Sequence, residues 1–133
     1  LRVEIGPKDL EKGQCCICRR DSGEKVFVPL ADLEETVKRL LDEVHDGLYA
    51  RARKNLEDHT RTCQTLAEVK EFMETEGGFA RTMWCGDLAC ELKMKEEAGV
   101  TSRCMPLVQE LVGEACVCCG RPAKQMIYWG VAY

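Results

Sequence analysis

No stretch of this 133-residue chain approaches the ~18 consecutive apolar residues that a membrane-spanning helix needs. A secretion signal is also lacking: Leu1-Arg2-Val3-Glu4-Ile5 alternates apolar and charged residues like a strand, with no charged start before an apolar run. There is no Met at the first position, so Leu1 is read as a cut inside a longer polypeptide. Nor is there an excess of basic charge. The 19 Lys and Arg against 23 Asp and Glu leave −4, which excludes a chain that binds nucleic acid by overall electrostatics. Any RNA contact must therefore be local. Internal repeats and low-complexity tracts are absent. Charged residues make up 32% of the chain, but they are interleaved with apolar periodic segments, which argues against disorder.

What the chain does have is cysteine, ten in all. Without a secretion signal they point to a reducing compartment, where closely spaced pairs are more often metal ligands than disulfides. Two pairs carry this reading. Cys85 and Cys90 lie in Trp84-Cys85-Gly86-Asp87-Leu88-Ala89-Cys90, and Cys116 and Cys119 in Cys116-Val117-Cys118-Cys119-Gly120, with 25 residues between the pairs. C-x-x-C spacing lets one tight turn present two sulfurs to one ion, and Gly120 relieves the crowding. In the looser pair Gly86 supplies the turn and Cys90 falls on the first turn of a helix. The positive end of that helix stabilises a thiolate. Four thiolates with no open position suit a structural zinc site. A four-cysteine iron site, or a redox C-x-x-C at Cys116 and Cys119, remains an alternative. Cys118 lies between two ligands and could replace one of them. Cys15, Cys16, Cys18, Cys63 and Cys104 are read as small core residues, with Cys16 and Cys18 on one strand face and Cys15 on the other.

Residues 1–30 are expected to be β-rich. A strand at Leu1–Ile5 is broken by Gly6-Pro7, and one helical turn over Lys8–Lys12 is closed by Gly13. Strands at Gln14–Arg20 and Lys25–Pro29 then form a hairpin through Asp21-Ser22-Gly23-Glu24. A long helix is expected over residues 32–59, started by Asp32 and Glu35 as a capping box. Leu33, Val37, Leu40, Leu41, Val44, Leu48, Ala52 and Leu56 repeat at steps of three and four to make one apolar stripe. Gly47 marks a bend or a close approach. Downstream, Thr65 and Glu68 repeat the capping pattern for a helix over 66–76, and Phe79–Trp84 reads as a strand. Asp87 caps a helix running to about Ala98, Ser102–Leu107 is a strand, and Met126–Tyr133 is a closing strand. The expected class is α/β (α+β): a partial mixed sheet, a long connector helix and a small α/β cysteine domain. His45 and His59 fall on the long helix with no ligand partner four residues away, and read as surface or half-buried residues. Arg19 and Arg20, with Lys8 and Arg2 nearby, form one basic cluster, either solvated surface or a phosphate contact.

At this point a family likeness emerges. Gly6-Pro7-Lys8-Asp9-Leu10-Glu11 and Arg19-Arg20-Asp21-Ser22-Gly23-Glu24-Lys25 resemble the late part of the anticodon-binding domain of prolyl-tRNA synthetases of the archaeal/eukaryotic type. Trp84-Cys85-Gly86-Asp87, Ser102-Arg103-Cys104-Met105-Pro106, Cys116 to Lys124 and the terminal Ala132-Tyr133 resemble that family's C-terminal zinc-binding domain. The resemblance implies an end of an anticodon-binding domain over 1–31, a connector helix over 32–60 and a zinc-binding domain over 61–133. It implies one structural zinc on Cys85, Cys90, Cys116 and Cys119. It also implies a parent enzyme that activates proline with ATP and charges tRNA(Pro). The class II catalytic core, with its ATP and Mg, would lie upstream, since none of its motifs is in these residues. By the same resemblance the fragment alone is inactive and the parent is a cytoplasmic homodimer away from membranes. Lys8, Arg19 and Arg20 become candidates for tRNA contact. Tyr133 would direct its terminal carboxylate toward the parent's own catalytic domain.

Overall fold

The computed structural model describes residues 1–132. It contains helices, an antiparallel sheet and a mixed sheet, with one long helix, in keeping with the expected α/β class. The chain divides into two compact units, Leu1–Lys54 and Asn55–Tyr133, described here separately.

The first unit begins with β1 (Arg2–Glu4), α1 (Pro7–Glu11), β2 (Gln14–Cys18) and β3 (Lys25–Pro29). The strands form an antiparallel sheet in the order β1-β2-β3, with Cys16 opposite both Glu4 and Phe27. Pro7 opens α1, where its missing N–H costs nothing, and Asp9 Oδ2 accepts from the Gly6 backbone N–H at 3.0 Å. The long helix α2 (Leu33–Asp58) is entered through a short 3-10 turn over Leu30–Asp32, so Asp32 lies inside that turn rather than at the expected cap. The helix runs through Gly47 without a break, and nothing lies within 4 Å of where a Cβ would stand there.

Strand β2 is the central one, paired along both edges, and Cys15, Cys16 and Ile17 are all buried. Cys15, Ile17, Val28 and Leu40 form the core, with Leu1, Val26, Leu33 and Val37 packed against it. Only the start of the expected α2 stripe does this job: Leu41, Leu48 and Leu56 are exposed among the described residues.

The second unit contains β4 (Thr60–Thr62), α3 (Leu66–Thr75), β5 (Phe79–Trp84), α4 (Leu88–Ala98), β6 (Val100–Cys104) and β7 (Gln125–Val131). Its sheet runs β4-β5-β7-β6. The β4–β5 pair is parallel, joined by α3 as the crossover that such pairs need, and the other pairs are antiparallel. Thr65 caps α3 by accepting from the Glu68 backbone N–H at 3.2 Å, the first half of the expected capping box; the Glu68 carboxylate reaches back one residue further, to the Gln64 backbone N–H at 2.9 Å. Helices α3 and α4 pack on each other and on the sheet. Val69, Phe72, Ala80, Met94, Val100, Ile127 and Trp129 form the core between them, together with Cys63 and Val117. Trp129 donates its indole N–H to Thr82 Oγ1 at 2.9 Å and meets Trp84 edge to face at 6.3 Å.

Three expectations need correction here. Strand β4 falls where the sequence reads as helix end and loop, because Thr60-Arg61-Thr62 has no apolar alternation and is a strand only through its pairing with β5. Strand β6 starts at Val100 and ends at Cys104, short of Leu107, because Pro106 cannot donate to a ladder; Leu107 is fully exposed. Cys104 is exposed rather than core, and Cys18 is only half-buried.

Candidate metal centre

The four sulfurs of Cys85, Cys90, Cys116 and Cys119 lie within 4.8 Å of one another. Three local devices bring them together. First, β5 ends at Trp84 and delivers Cys85 to a turn at Gly86, whose φ of 86° is open only to glycine at low cost. Second, Asp87 caps α4 by accepting from the Ala89 backbone N–H at 3.0 Å, which fixes the first helical turn and Cys90 on it. Third, residues 116–120 form a tight turn. Gly120 N–H donates to Cys116 C=O at 2.9 Å, and Gly120 itself takes φ 71°. The base of that turn is closed by the Ala115–Pro122 bridge and by the Cys116 N–H to the Arg121 C=O at 2.8 Å. The Val117 N–H then donates to the Met83 C=O at 3.0 Å, which pins the turn beside the end of β5.

The separations test what the cluster can hold. Cys85 and Cys90 sulfurs are 3.6 Å apart, and those of Cys85 and Cys119 are 3.8 Å apart. A tetrahedral thiolate site with metal–sulfur bonds of about 2.3 Å has edges of about 3.8 Å. A disulfide would need about 2.05 Å, and all ten cysteines are free. The four-cysteine cluster could therefore hold a metal ion, with a donor set suited to a soft or borderline cation. Cys118 is outside the group and packs against the hydrophobic core.

The sulfurs differ in their electrostatics. Burial pushes the Cys85 and Cys90 thiols up, and Cys118 likewise. Cys119 is exposed, and its hydrogen bond from Arg121 holds it down to about 6. An incoming ion must therefore displace protons from Cys85 and Cys90 at neutral pH, whereas Cys119 is already largely thiolate.

Arg121 is the participant that sequence reasoning missed. Its Nε donates to Cys119 Sγ at 3.3 Å, and its Nη2 lies 2.6 Å from Asp87 Oδ2 and 4.0 Å from Cys85 Sγ. This guanidinium holds the Asp87 carboxyl below the usual carboxylate range. The available signal was a cation two residues after one cysteine pair and an anion inside the other.

The remaining expected site residues are not gathered at this cluster. Arg19 is held by Asp21, at 3.2 and 2.9 Å, and by Glu43 at 2.7 Å, so two carboxylates already meet its charge. Asp21 is held below the ordinary carboxylate value by that hydrogen bond. Arg20 is exposed and lines a surface pocket of about 490 Å³ with Leu1, Arg2, Cys18, Arg19 and Gly23. Lys8 is exposed on α1 and does not line that pocket. His45 and His59 are exposed, with the His59 ring Nδ1 2.8 Å from the Asn55 carbonyl oxygen. Tyr133 lies outside the described residues.

Comparison with known proteins gives the cluster a context. A family model described as prolyl-tRNA synthetase, C-terminal, matches residues 66–133, which hold all four cysteines. A second, described as anticodon binding domain, matches residues 1–40. A proline--tRNA ligase of Clostridium novyi (strain NT) is 51% identical over all 133 residues, and a proline--tRNA ligase 2 of Bacillus cereus (strain ATCC 14579) is 50% identical over the same span. A proline--tRNA ligase of Clostridium botulinum (strain Loch Maree / Type A3) is 49% identical. The chain spans 28% of the length of each of these relatives. Among the described residues, no helix is long and apolar enough to cross a membrane.

Proposed function

This chain belongs to the prolyl-tRNA synthetase C-terminal family, and on that premise we propose that it serves as the C-terminal region of a proline--tRNA ligase. In this reading residues 66–133 form a structural zinc module, with Cys85, Cys90, Cys116 and Cys119 as its ligands. The ion would close the gap between a β5–α4 corner and the 116–120 turn, and its contribution is to folding. A closed four-thiolate shell leaves no position for a substrate. The first unit would support the anticodon end of tRNA(Pro). Catalysis would belong to other parts of a cytoplasmic, dimeric parent.

The observation that carries the zinc reading is the convergence of four sulfurs, from two segments, at spacings close to tetrahedral edges. The low value at Cys119 would also suit a redox thiol, but a two-sulfur redox pair needs no third and fourth sulfur beside it. For RNA contact the exposed Lys8 and Arg20 are better placed than Arg19, whose charge is met by Asp21 and Glu43.

Elemental analysis tests the metal reading. Protein purified without added metal should carry one zinc per chain, and Cys116→Ser should lose it. A metal-free chain with Cys116 and Cys119 readily oxidised to each other would overturn the reading in favour of redox chemistry. For the RNA role, Arg20→Ala in a full-length enzyme should raise the KM for tRNA severalfold and leave proline activation unchanged. Equal effects on both steps would argue against it.

A further inference from the structure

Of the four sulfurs, Cys119 is the exposed one, while Cys90 and Cys116 are buried and Cys85 is half-buried. Cys119 is thus the sulfur most open to water, a competing chelator or an oxidant. The Arg121 guanidinium lies beside it, with Nε 3.3 Å from Cys119 Sγ. It is also tied to the other half of the cluster, through Asp87 Oδ2 at 2.6 Å and Cys85 Sγ at 4.0 Å. Asp87 in turn caps the helix that carries Cys90. One side chain thus straps together the two segments that supply the sulfurs. A guanidinium has only donors, so it cannot itself be a ligand. Its charge partly offsets the −2 that four thiolates leave around a divalent ion, and its planar fork serves a sulfur and a carboxylate at once.

Resting on the zinc reading above, we propose that Arg121 is a positioning residue of the metal centre that governs how fast the ion leaves and how readily the Cys119 sulfur is attacked. It acts by holding Cys119 against the Cys85–Cys90 pair. When the strap is removed, all four ligands remain and the site still fills, but Cys119 swings free more often. Outer residues of metal sites typically change affinity by about 10–100-fold. The Arg121–Asp87 pair is exposed, which places the expected effect at about the lower end of that range.

The test uses the full chain loaded with zinc, and with cobalt(II) as a spectroscopic stand-in. Transfer of the ion to 4-(2-pyridylazo)resorcinol is followed in time for wild type, Arg121→Met, Arg121→Lys and Asp87→Asn. Asn caps a helix about as well as Asp, so Asp87→Asn weakens the strap and spares the fold. The expected result is one ion per chain in every variant and an unchanged cobalt–thiolate band intensity. Release should be about tenfold faster in Arg121→Met. It should be faster by a smaller factor in Asp87→Asn, and intermediate in Arg121→Lys, which keeps the charge but not the fork. Release at the wild-type rate in both Arg121→Met and Asp87→Asn overturns the proposal and leaves the zinc reading standing. A wild-type chain that takes up no ion overturns the zinc reading itself, and this inference with it.

Discussion

Cys15 in the first unit and Cys116 in the second are about equally hidden, at 0% and 3% exposure, yet their surroundings have nothing in common. Cys15 sits in the middle of a strand, its sulfur among Ile17, Val28 and Leu40. Cys116 opens a turn closed by Gly120, and its sulfur faces three others. The first unit holds together as a small sheet and helix usually do, by apolar contact and a charged latch from Arg19 to Asp21 and Glu43. The second has a larger apolar core but leaves the 116–122 turn with little apolar packing beyond Val117 and Cys118. Burial alone therefore does not reveal a cysteine's role. The backbone around it does: a strand presents sulfurs alternately to two faces, whereas a turn gathers them on one point.

The same substitution in both places should break this symmetry most. Cys116→Ser should release the ion and cost the second unit more than any single core truncation, because metal binding there is folding energy. Cys15→Ser leaves a hydroxyl in an apolar site and should cost about 1–3 kcal/mol, with no change in metal content. Equal effects of the two on thermal melting would erase the distinction. Next in size, Trp129→Ala should cost about 3–5 kcal/mol, as truncations of large buried aromatics do. It also leaves Thr82 without its indole donor. Leu40→Ala in the thinner first core should fall toward the low end of about 2–5 kcal/mol. Chemical denaturation of each variant ranks them.

Acid sharpens the comparison further. The folded Asp21 is held below its ordinary value by Arg19. A lowered carboxyl contributes stability that is complete above the ordinary value and is lost as pH falls through the folded one. The first unit should therefore weaken only below about pH 4, and Asp21→Asn should flatten that decline. The second unit should fail at higher pH in the same titration, since protons compete with the ion for sulfur. Unit-resolved NMR during acidification separates the two transitions, and a single shared transition would count against the account. The smallest effect belongs to the exposed Glu34–Lys38 pair on α2. Lys38→Ala should change stability by less than about 0.5 kcal/mol.

The cysteine cluster was legible because metal geometry constrains spacing: C-x-x-C before glycine, and a second pair at a strand-to-helix corner. The long helix and the β2–β3 hairpin were legible from periodicity and turn residues. Other features were hidden for physical reasons. Strand β4 is entirely polar and exists through a parallel partner far along the chain. The outward face of Leu41, Leu48 and Leu56 follows a helical period that does not say what, if anything, covers it. Cys104 and Leu107 look apolar in sequence, but Cys104 is the exposed last residue of strand β6 and Leu107 lies beyond its end. The strap from Arg121 to Asp87 joins residues 34 apart, so the sequence shows the two charges beside the cysteine pairs but not that they meet.

Hydrogen exchange on the full chain, before and after zinc is stripped by a strong chelator, tests the central claim most directly. The account predicts that amides of β5, α4 and β7 lose protection when the ion leaves, while those of β2 and β3 exchange as before. Unchanged protection in β5, α4 and β7 after verified removal of the ion would contradict it.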